Sequence, residues 1–321
     1  MKFAAKVRFV TIDSFTANYG GDLSRLRALM NERMTQGLKR CMRLLSDESF
    51  DRIVYWLATH KRLNVTSPKT YTEKLLYIKR NDHNPLMTIC ADKFRVYGYL
   101  KDIGFGRILK QLYGVYDDPC QVNLGELPDT FFIKCNHASH GNYLITPSTV
   151  TAFPTIQKKL KRMLKQNYYW QSREWAYKEI RPRVICEEAL LDDSGNLPVD
   201  YKFYCFDGQV RYFMVSIGEY EHHAVNHKFD RNGRSIDWKF KKEPTLPESE
   251  VHLPDNLSEM VEVADQLSKP FRHVRVDLYN LNSRIVFGEF TFYSSAGFVC
   301  IPNEQTELEL GKALHIGSDD P

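Results

Sequence analysis

The 321-residue sequence contains no CxxC pair among its seven cysteines, which removes the simplest zinc and dithiol-redox readings. Cys41, Cys90, Cys120, Cys135, Cys186, Cys205 and Cys300 are scattered, several inside apolar runs such as ICA, VICEE and FYCF. They are expected to be reduced and buried. No run approaches the length of a membrane span, so no transmembrane helix is expected. Residues 1–10 carry Lys2, Lys6 and Arg8 with no apolar core behind them, so no signal peptide is expected either. An excess of one charge is also missing. With 44 basic and 40 acidic residues the net charge is +4, too even to argue for nucleic acid. His222, His223 and His227 lack helical metal-ligand spacing with a partner carboxylate, so they do not read as a zinc site.

What remains is ordinary globular composition, 43% apolar and 26% charged, in a chain long enough for two or three lobes. Residues 1–50 include a basic segment with Leu23, Leu26, Leu29 and Met30 at helical spacing. It reads as a solvated helix face or a contact with an anionic surface. Helices are expected near residues 53–60, 72–79, 91–100, 155–167, 257–267 and 307–314. Strands are expected near 109–113, 131–134, 143–145, 184–186, 199–206 and 210–217, with an exposed loop over 230–255.

The chemistry concentrates in residues 274–297, VRVDLYNLNSRIVFGEFTFYSSAG. This stretch reads as two strands with turn residues at 280–283. Side chains alternate between faces with period two, so Arg275 shares a face with Asp277, and Glu289 with Thr291. Paired through a short turn, the four can converge into a hard-oxygen site suited to Mg²⁺ on a nucleotide phosphate. Upstream, Lys134 ends an apolar strand (FFIK) beside the small-residue loop NHASHGN. A lysine next to backbone donors can hold phosphate, although Gly141 is the only glycine there and no Walker or Rossmann pattern is present.

The ordered set ADK, FFIK…NHASHGN, VICEE, DYKFYCFDG, VRVDLY and FGEFTF resembles the ATP-grasp superfamily. More narrowly it resembles the TupA-like ATP-grasp family of teichuronopeptide, capsule and surface-polysaccharide gene clusters. The resemblance spans residues 50–315. It implies an α/β fold of α+β lobes with ATP held between two of them. The expected division is an N-terminal helical region (1–80), a pre-grasp α/β segment (81–128), a central mobile lobe (129–188) and a C-terminal lobe with the metal site (189–321). It further implies that Lys93 and Lys134 bind nucleotide phosphates. The loop 136–141, with His137, Ser139 and Gly141, would close over the triphosphate. Glu187 and Glu188 would lie on the hinge strand beside adenine. Asp200 would hold the ribose, and Lys202 would aid the phosphates or acceptor. Arg275 would stabilise the transferred phosphoryl group, and Asp277 and Glu289 would hold Mg²⁺. Thr291 stands where many relatives have a metal-binding Asn, and Ala138 and Ser139 replace usual glycines.

The implied activity is an ATP- and Mg²⁺-dependent carboxylate–amine ligase using two Mg²⁺ ions. It would phosphorylate a uronic-acid carboxylate on a sugar or glycan and join it to an amino acid or other amine. The implied setting is cytoplasmic, at the inner face of the membrane beside polysaccharide-synthesis machinery. Two rivals use the same gene-cluster context. A glycan kinase would need the same cations plus a base at the hydroxyl. A glycosyltransferase would need a DxD, whereas Asp192–Asp193 reads as a turn pair. A non-catalytic ATP-binding assembly protein would not need the full phosphate and metal set.

Overall fold

The computed structural model describes residues 42–139, 141–192, 194–218, 225–238 and 247–317. The basic segment before residue 42, and with it Cys41, lies outside them, as do His140, Asp193, His222 and His223.

Two antiparallel sheets organise the chain. The first has four strands in the order β1-β4-β2-β3: β1 (Leu112–Tyr116), β2 (Phe131–Cys135), β3 (Tyr143–Ile145) and β4 (Val184–Glu188). The second has six, in the order β10-β9-β5-β6-β7-β8. These are β5 (Asp200–Phe206), β6 (Gln209–Ile217), β7 (Val225–Asp230), β8 (Ser235–Ile236), β9 (His273–Leu281) and β10 (Arg284–Thr291). The smaller sheet packs Phe131, Ile133, Cys135, Val184 and Cys186 against Phe153, Ile156 and Leu160 of the helix Phe153–Met163. The larger sheet shares a core with the amphipathic helix Leu257–Ser268, through Val274, Val276 and Leu278 against Met260, Ala264 and Leu267. Period-two strands meeting a period-3.6 stripe is the usual way such layers exclude water.

Local chemistry sets the element ends. Helix α1 (Asp47–Thr59) starts at Ser46, whose hydroxyl accepts from Ser49 N. Helix α2 (Tyr71–Asn81) starts with a reciprocal capping box between Thr70 and Glu73. The single helix expected over 91–100 is instead two, α3 (Pro85–Ala91) and α4 (Arg95–Asp102). The Asp92 carboxylate accepts from Phe94 N and Arg95 N and breaks the run, leaving Lys93 in the gap. The strand expected at 109–113 begins at Leu112, after a 3₁₀ turn at Gly106–Ile108. The loop expected over 230–255 carries the short strand β8 in its described part. Cys90, Cys135, Cys186 and Cys205 are buried as expected, whereas Cys120 is exposed.

Candidate functional site

The hairpin β9–β10 turns through Asn282 and Ser283, both left-handed at φ 49° and 68°. A two-residue turn of this hand matches the twist of the flanking strands. From Arg284↔Leu281 to Phe287↔Leu278 the pairing is regular; at Gly288 the register slips by one, so that Glu289 faces Asp277 and Thr291 faces Arg275. Without this bulge Glu289 would pair with Val276 and point to the other face. Gly288 is required by close approach, since a Cβ there would lie 2.9 Å from the Asp277 carbonyl oxygen.

The four polar groups therefore do converge. Arg275 grips Asp277 with two hydrogen bonds, from Nε and one Nη, each 2.6 Å. The same guanidinium lies 3.5 Å from Glu289, and Lys93 Nζ lies 3.2 Å from its other oxygen. Thr291 Oγ1 donates weakly to Glu289 at 3.4 Å. On the other side of β9, Lys202 stands opposite Asp277 and is 3.0 Å from Asp200. Burial pushes the Asp277 carboxyl up, against the pull of Arg275, and the nearby Asp200 charge pushes it further. For Glu289 burial also disfavours charge, but Lys93, Arg275 and Lys134 outweigh it and hold its carboxyl well below the usual range. Glu289 keeps 39% of its side chain exposed. The buried Oδ1 of Asp200 has no hydrogen-bond partner. Asp277 and Glu289, the latter reaching water, fit a hard divalent cation that takes its remaining ligands from phosphate and water. Among the described residues no three His, Cys, Asp or Glu side chains come together to hold a metal ion.

A second cluster lies on the smaller sheet. Glu187 on β4 receives Lys134 of β2 in a short ion pair, Lys110 at 2.7 Å and the Tyr97 hydroxyl at 3.1 Å. Burial opposes its charge, yet Lys110 and Lys134 together hold its carboxyl down to about 2. Burial lowers Lys134 to about 8 despite its Glu187 partner, with Lys110 and Lys93 adding repulsion. Lys93, Lys134 and Glu187 line one narrow cleft with Gly288 and Glu289, which joins the two clusters. Glu188 points elsewhere. It accepts from Gln111 N at 3.0 Å and pairs with Arg284 at 3.5 Å, beside an open groove of about 1100 Å³ that none of the metal-side residues lines.

The loop that starts at Asn136 is wired to both sides. Asn136 Nδ2 donates to Asp92 at 2.8 Å, its Oδ1 accepts from Arg183 N at 2.6 Å, and its carbonyl accepts from Lys93 N at 3.1 Å. His137 is 2% exposed, and its Nε2 faces the carbonyls of Met163 and Gln166 at 3.2 and 3.1 Å, so Nε2 carries the proton. The structure thus gives His137 to the anchoring of the loop on the end of the helix Phe153–Met163 and does not turn its Nε2 into the cleft. Ser139 lies beside the Tyr168 hydroxyl. Gly141 has φ 77°, a conformation that favours glycine. Lys110, Tyr97, Asp92 and Asn136 were not singled out from sequence. Lys110 belongs to no recognisable pattern, and only the fold brings it to Glu187. Asn136 was read as part of a loop, and the Asp-Lys pairing at 92–93 gave no hint that Asp92 would be its partner.

The model of the family described as TupA-like ATPgrasp matches residues 73–315. No curated protein matches the chain significantly. Among solved structures, D-alanine–D-alanine ligase from Bacillus anthracis complexed with ATP is similar at 14% identity and a TM-score of 0.36. That match covers 71% of this chain and 68% of that one. The Helicobacter pylori D-alanine–D-alanine ligase gives 13% and 0.40, covering 71% and 62%. The ATP-grasp ligase PsnB complexed with minimal precursor gives 11% and 0.37, covering 75% and 65%.

Proposed function

The chain belongs to the TupA-like ATP-grasp family, an ATP-grasp ligase by that membership, and from this premise we propose that it joins a uronic-acid carboxylate of a surface glycan to an amine. ATP would phosphorylate the carboxylate, and the amine would then displace phosphate to leave an amide. The observation that carries the reading is the convergence of Arg275 and Asp277 with Glu289 and Lys93, the last two of which line the cleft.

Each group has a task in this reading. Lys93 and Lys134 neutralise the triphosphate, and Lys110 backs Lys134 through their shared carboxylate, Glu187. Loop 136–141 covers the phosphates with backbone donors, held by Asn136 and His137. Arg275 stands where charge develops on the transferred phosphoryl group. Its charge is secure, because Asp277 raises the guanidinium's already high pKa further against the penalty of burial. Asp277 and Glu289 would hold Mg²⁺, with Thr291 at the margin, and Asp200 would accept from the ribose hydroxyls through its unpartnered oxygen. When bound, the cation would neutralise charge on the phosphates. Lys202, buried between Asp200 and Asp277, keeps those two carboxylates from repelling each other apart. In phosphoryl transfer the protein contributes mainly position and charge, and excluding water protects the acyl phosphate. The four domain limits given above and a place beside polysaccharide-synthesis machinery belong to the same proposal.

The test is ATP turnover by purified protein with panels of uronic acids and amino acids, with product masses read directly. ADP and phosphate with a mass gain of amine minus water supports the ligase. A phosphoryl gain on the sugar without need of amine replaces it with a kinase.

A further inference from the structure

The Lys93 ammonium reaches Glu289 across the cleft, yet neither helix beside Lys93 holds it. It lies in the gap between α3 and α4, and its N–H goes to the Asn136 carbonyl at 3.1 Å, not to a helix carbonyl. Both neighbours are held from the same direction. Asp92 accepts from Asn136 Nδ2 at 2.8 Å. The Arg183 guanidinium lies over the Phe94 ring, 5.2 Å from its centroid. Arg183 in turn exchanges two hydrogen bonds with Asn136. Asn136 N donates to the Arg183 carbonyl at 3.0 Å, and Arg183 N donates to Asn136 Oδ1 at 2.6 Å. Residues 92 to 94 are thus pinned to the end of the smaller sheet, where β2 leaves and β4 enters. The Lys93 ammonium ends on a carboxylate of the larger sheet, 3.2 Å from Glu289.

Asn136 is 0% exposed and every polar group it carries is used. Its second amide hydrogen goes to the Arg181 carbonyl at 3.0 Å. The side-chain nitrogen therefore faces two acceptors and the oxygen faces a donor, which fixes the orientation of the amide. An aspartate of the same shape would turn acceptors towards both the Asp92 carboxylate and the Arg181 carbonyl. Asn136 is also the first residue of loop 136–141, which the reading above lays over the phosphates.

We propose that Asn136 is the positioning residue for Lys93: through Asp92 and the Lys93 backbone it fixes that ammonium across the cleft, so that the loop and the lysine move as one unit. This rests on the reading of the cleft as the Mg-ATP site. The consequence is linkage between the two sheets. A nucleotide that seats the loop also places a positive charge beside Glu289, and a displaced loop withdraws it. Asn136 touches neither nucleotide nor cation through its side chain, so its whole effect on binding passes through Lys93.

The experiment is a double-mutant cycle on Mg-ATP affinity, read by calorimetric titration without acceptor or amine, so that turnover plays no part. Asn136→Asp keeps the side chain's size and its bond from Arg183 N, but sets a carboxylate against Asp92. It should weaken Mg-ATP binding by about 10-fold or more, the scale on which a supporting partner acts through the group it orients. In a Lys93→Met background the same substitution should change affinity by less than about threefold, because the charge it places is gone and the two effects no longer add. The exchange variant Asn136→Asp/Asp92→Asn again sets an amide against a carboxylate and should recover most of the lost affinity. An equal loss from Asn136→Asp with and without Lys93 would overturn the proposal, since a residue that only holds the fold acts whether or not the lysine is there. An exchange variant as weak as Asn136→Asp would overturn it too. If Asn136→Asp does not fold, Asn136→Ser, which removes the side-chain bonds without adding charge, runs the same cycle against the same criterion. Wild type that binds no Mg-ATP removes the reading of the site itself, a result distinct from the others.

Discussion

The two charged clusters that share the cleft are built on opposite plans. On the smaller sheet, Glu187 is 2% exposed and three donors saturate it, Lys134, Lys110 and Tyr97. On the larger sheet, Glu289 reaches water and one oxygen of Asp200 has no partner. The first cluster is complete without a ligand and sets two ammoniums against one carboxylate. The second leaves carboxylate oxygens open to solvent or unpartnered, a donor set suited to a cation. A closed ion network serves the fold and the ligand together, whereas an open one serves the ligand at little benefit to the fold.

The largest effect should come from the open cluster's carboxylates. Asp277→Asn or Glu289→Gln should lower Mg²⁺-dependent turnover by at least about 10²-fold, the scale seen when a charge-stabilising group is lost. Because Glu289 is 39% exposed, solvent screens its pairs with Lys93 and Arg275, so its substitution should cost less unfolding free energy than breaking the buried Glu187 cluster. Steady-state ADP release beside urea unfolding checks both halves. Wild-type turnover in both variants would remove the metal site.

Glu187→Gln sharpens the contrast from the other side. It strands two buried ammoniums, and breaking a buried pair costs about 3–5 kcal/mol. The sign with pH follows from its depressed carboxyl. The stabilisation is fully present above the ordinary glutamate value and is lost as pH falls towards about 2. Urea midpoints from pH 7 downward should therefore converge for wild type and variant. Equal stability at pH 7 would mean that the cluster is not closed in the sense argued.

Gly288→Ala should also damage the open cluster, through backbone rather than charge. The added Cβ would meet the Asp277 carbonyl at 2.9 Å. Overpacking of this kind costs about 1–3 kcal/mol. It should also weaken Mg²⁺ dependence, because Glu289 faces Asp277 only by virtue of the bulge. A variant with normal stability and metal dependence would show that the register does not depend on this glycine.

The bulge also marks where sequence reading stopped. Alternation along residues 274–291 placed Arg275 with Asp277 and Glu289 with Thr291, and those faces are correct. Plain pairing through the turn would have put the two pairs on opposite faces of the sheet. Only the one-residue slip at Gly288 brings them together, and a glycine between Phe287 and Glu289 was its one trace. Element types were legible because strands and helices announce themselves by period. The break at Asp92–Phe94 was not, since it depends on a side chain capping its own backbone and on Asn136, 44 residues away. Lys110 was invisible for a similar reason. Its partner Glu187 is 77 residues distant, and a lone lysine in a connection carries no periodic signal.

A pH profile separates the clusters without any substitution. Burial lowers Lys134 to about 8, so above that value the free enzyme loses a charge that the proposed reading places on the phosphates. The quantity kcat/KM for ATP reports ionisations of the free enzyme. It should fall as pH rises through about 8, while kcat at saturating ATP holds higher, because bound phosphate keeps the lysine protonated. In Lys134→Arg the guanidinium stays charged throughout, so that limb should vanish even where overall activity drops. A limb that persists in the arginine variant would belong to another group.

The smallest expected effect falls on Thr291. Its hydroxyl reaches Glu289 at 3.4 Å, a long contact that contributes little by itself. An ordinary hydrogen bond is worth on the order of 1 kcal/mol and this one is long, so Thr291→Ala should reduce turnover by less than about fivefold. Thr291→Asn is the more telling variant, because it supplies a carbonyl oxygen within reach of the same cation. Tighter Mg²⁺ dependence in Thr291→Asn, read as a lower Mg²⁺ concentration at half-maximal rate, would place position 291 at the metal. No change in either variant would leave Asp277 and Glu289 as the protein's whole contribution, and the open cluster would then owe its remaining ligands to phosphate and water.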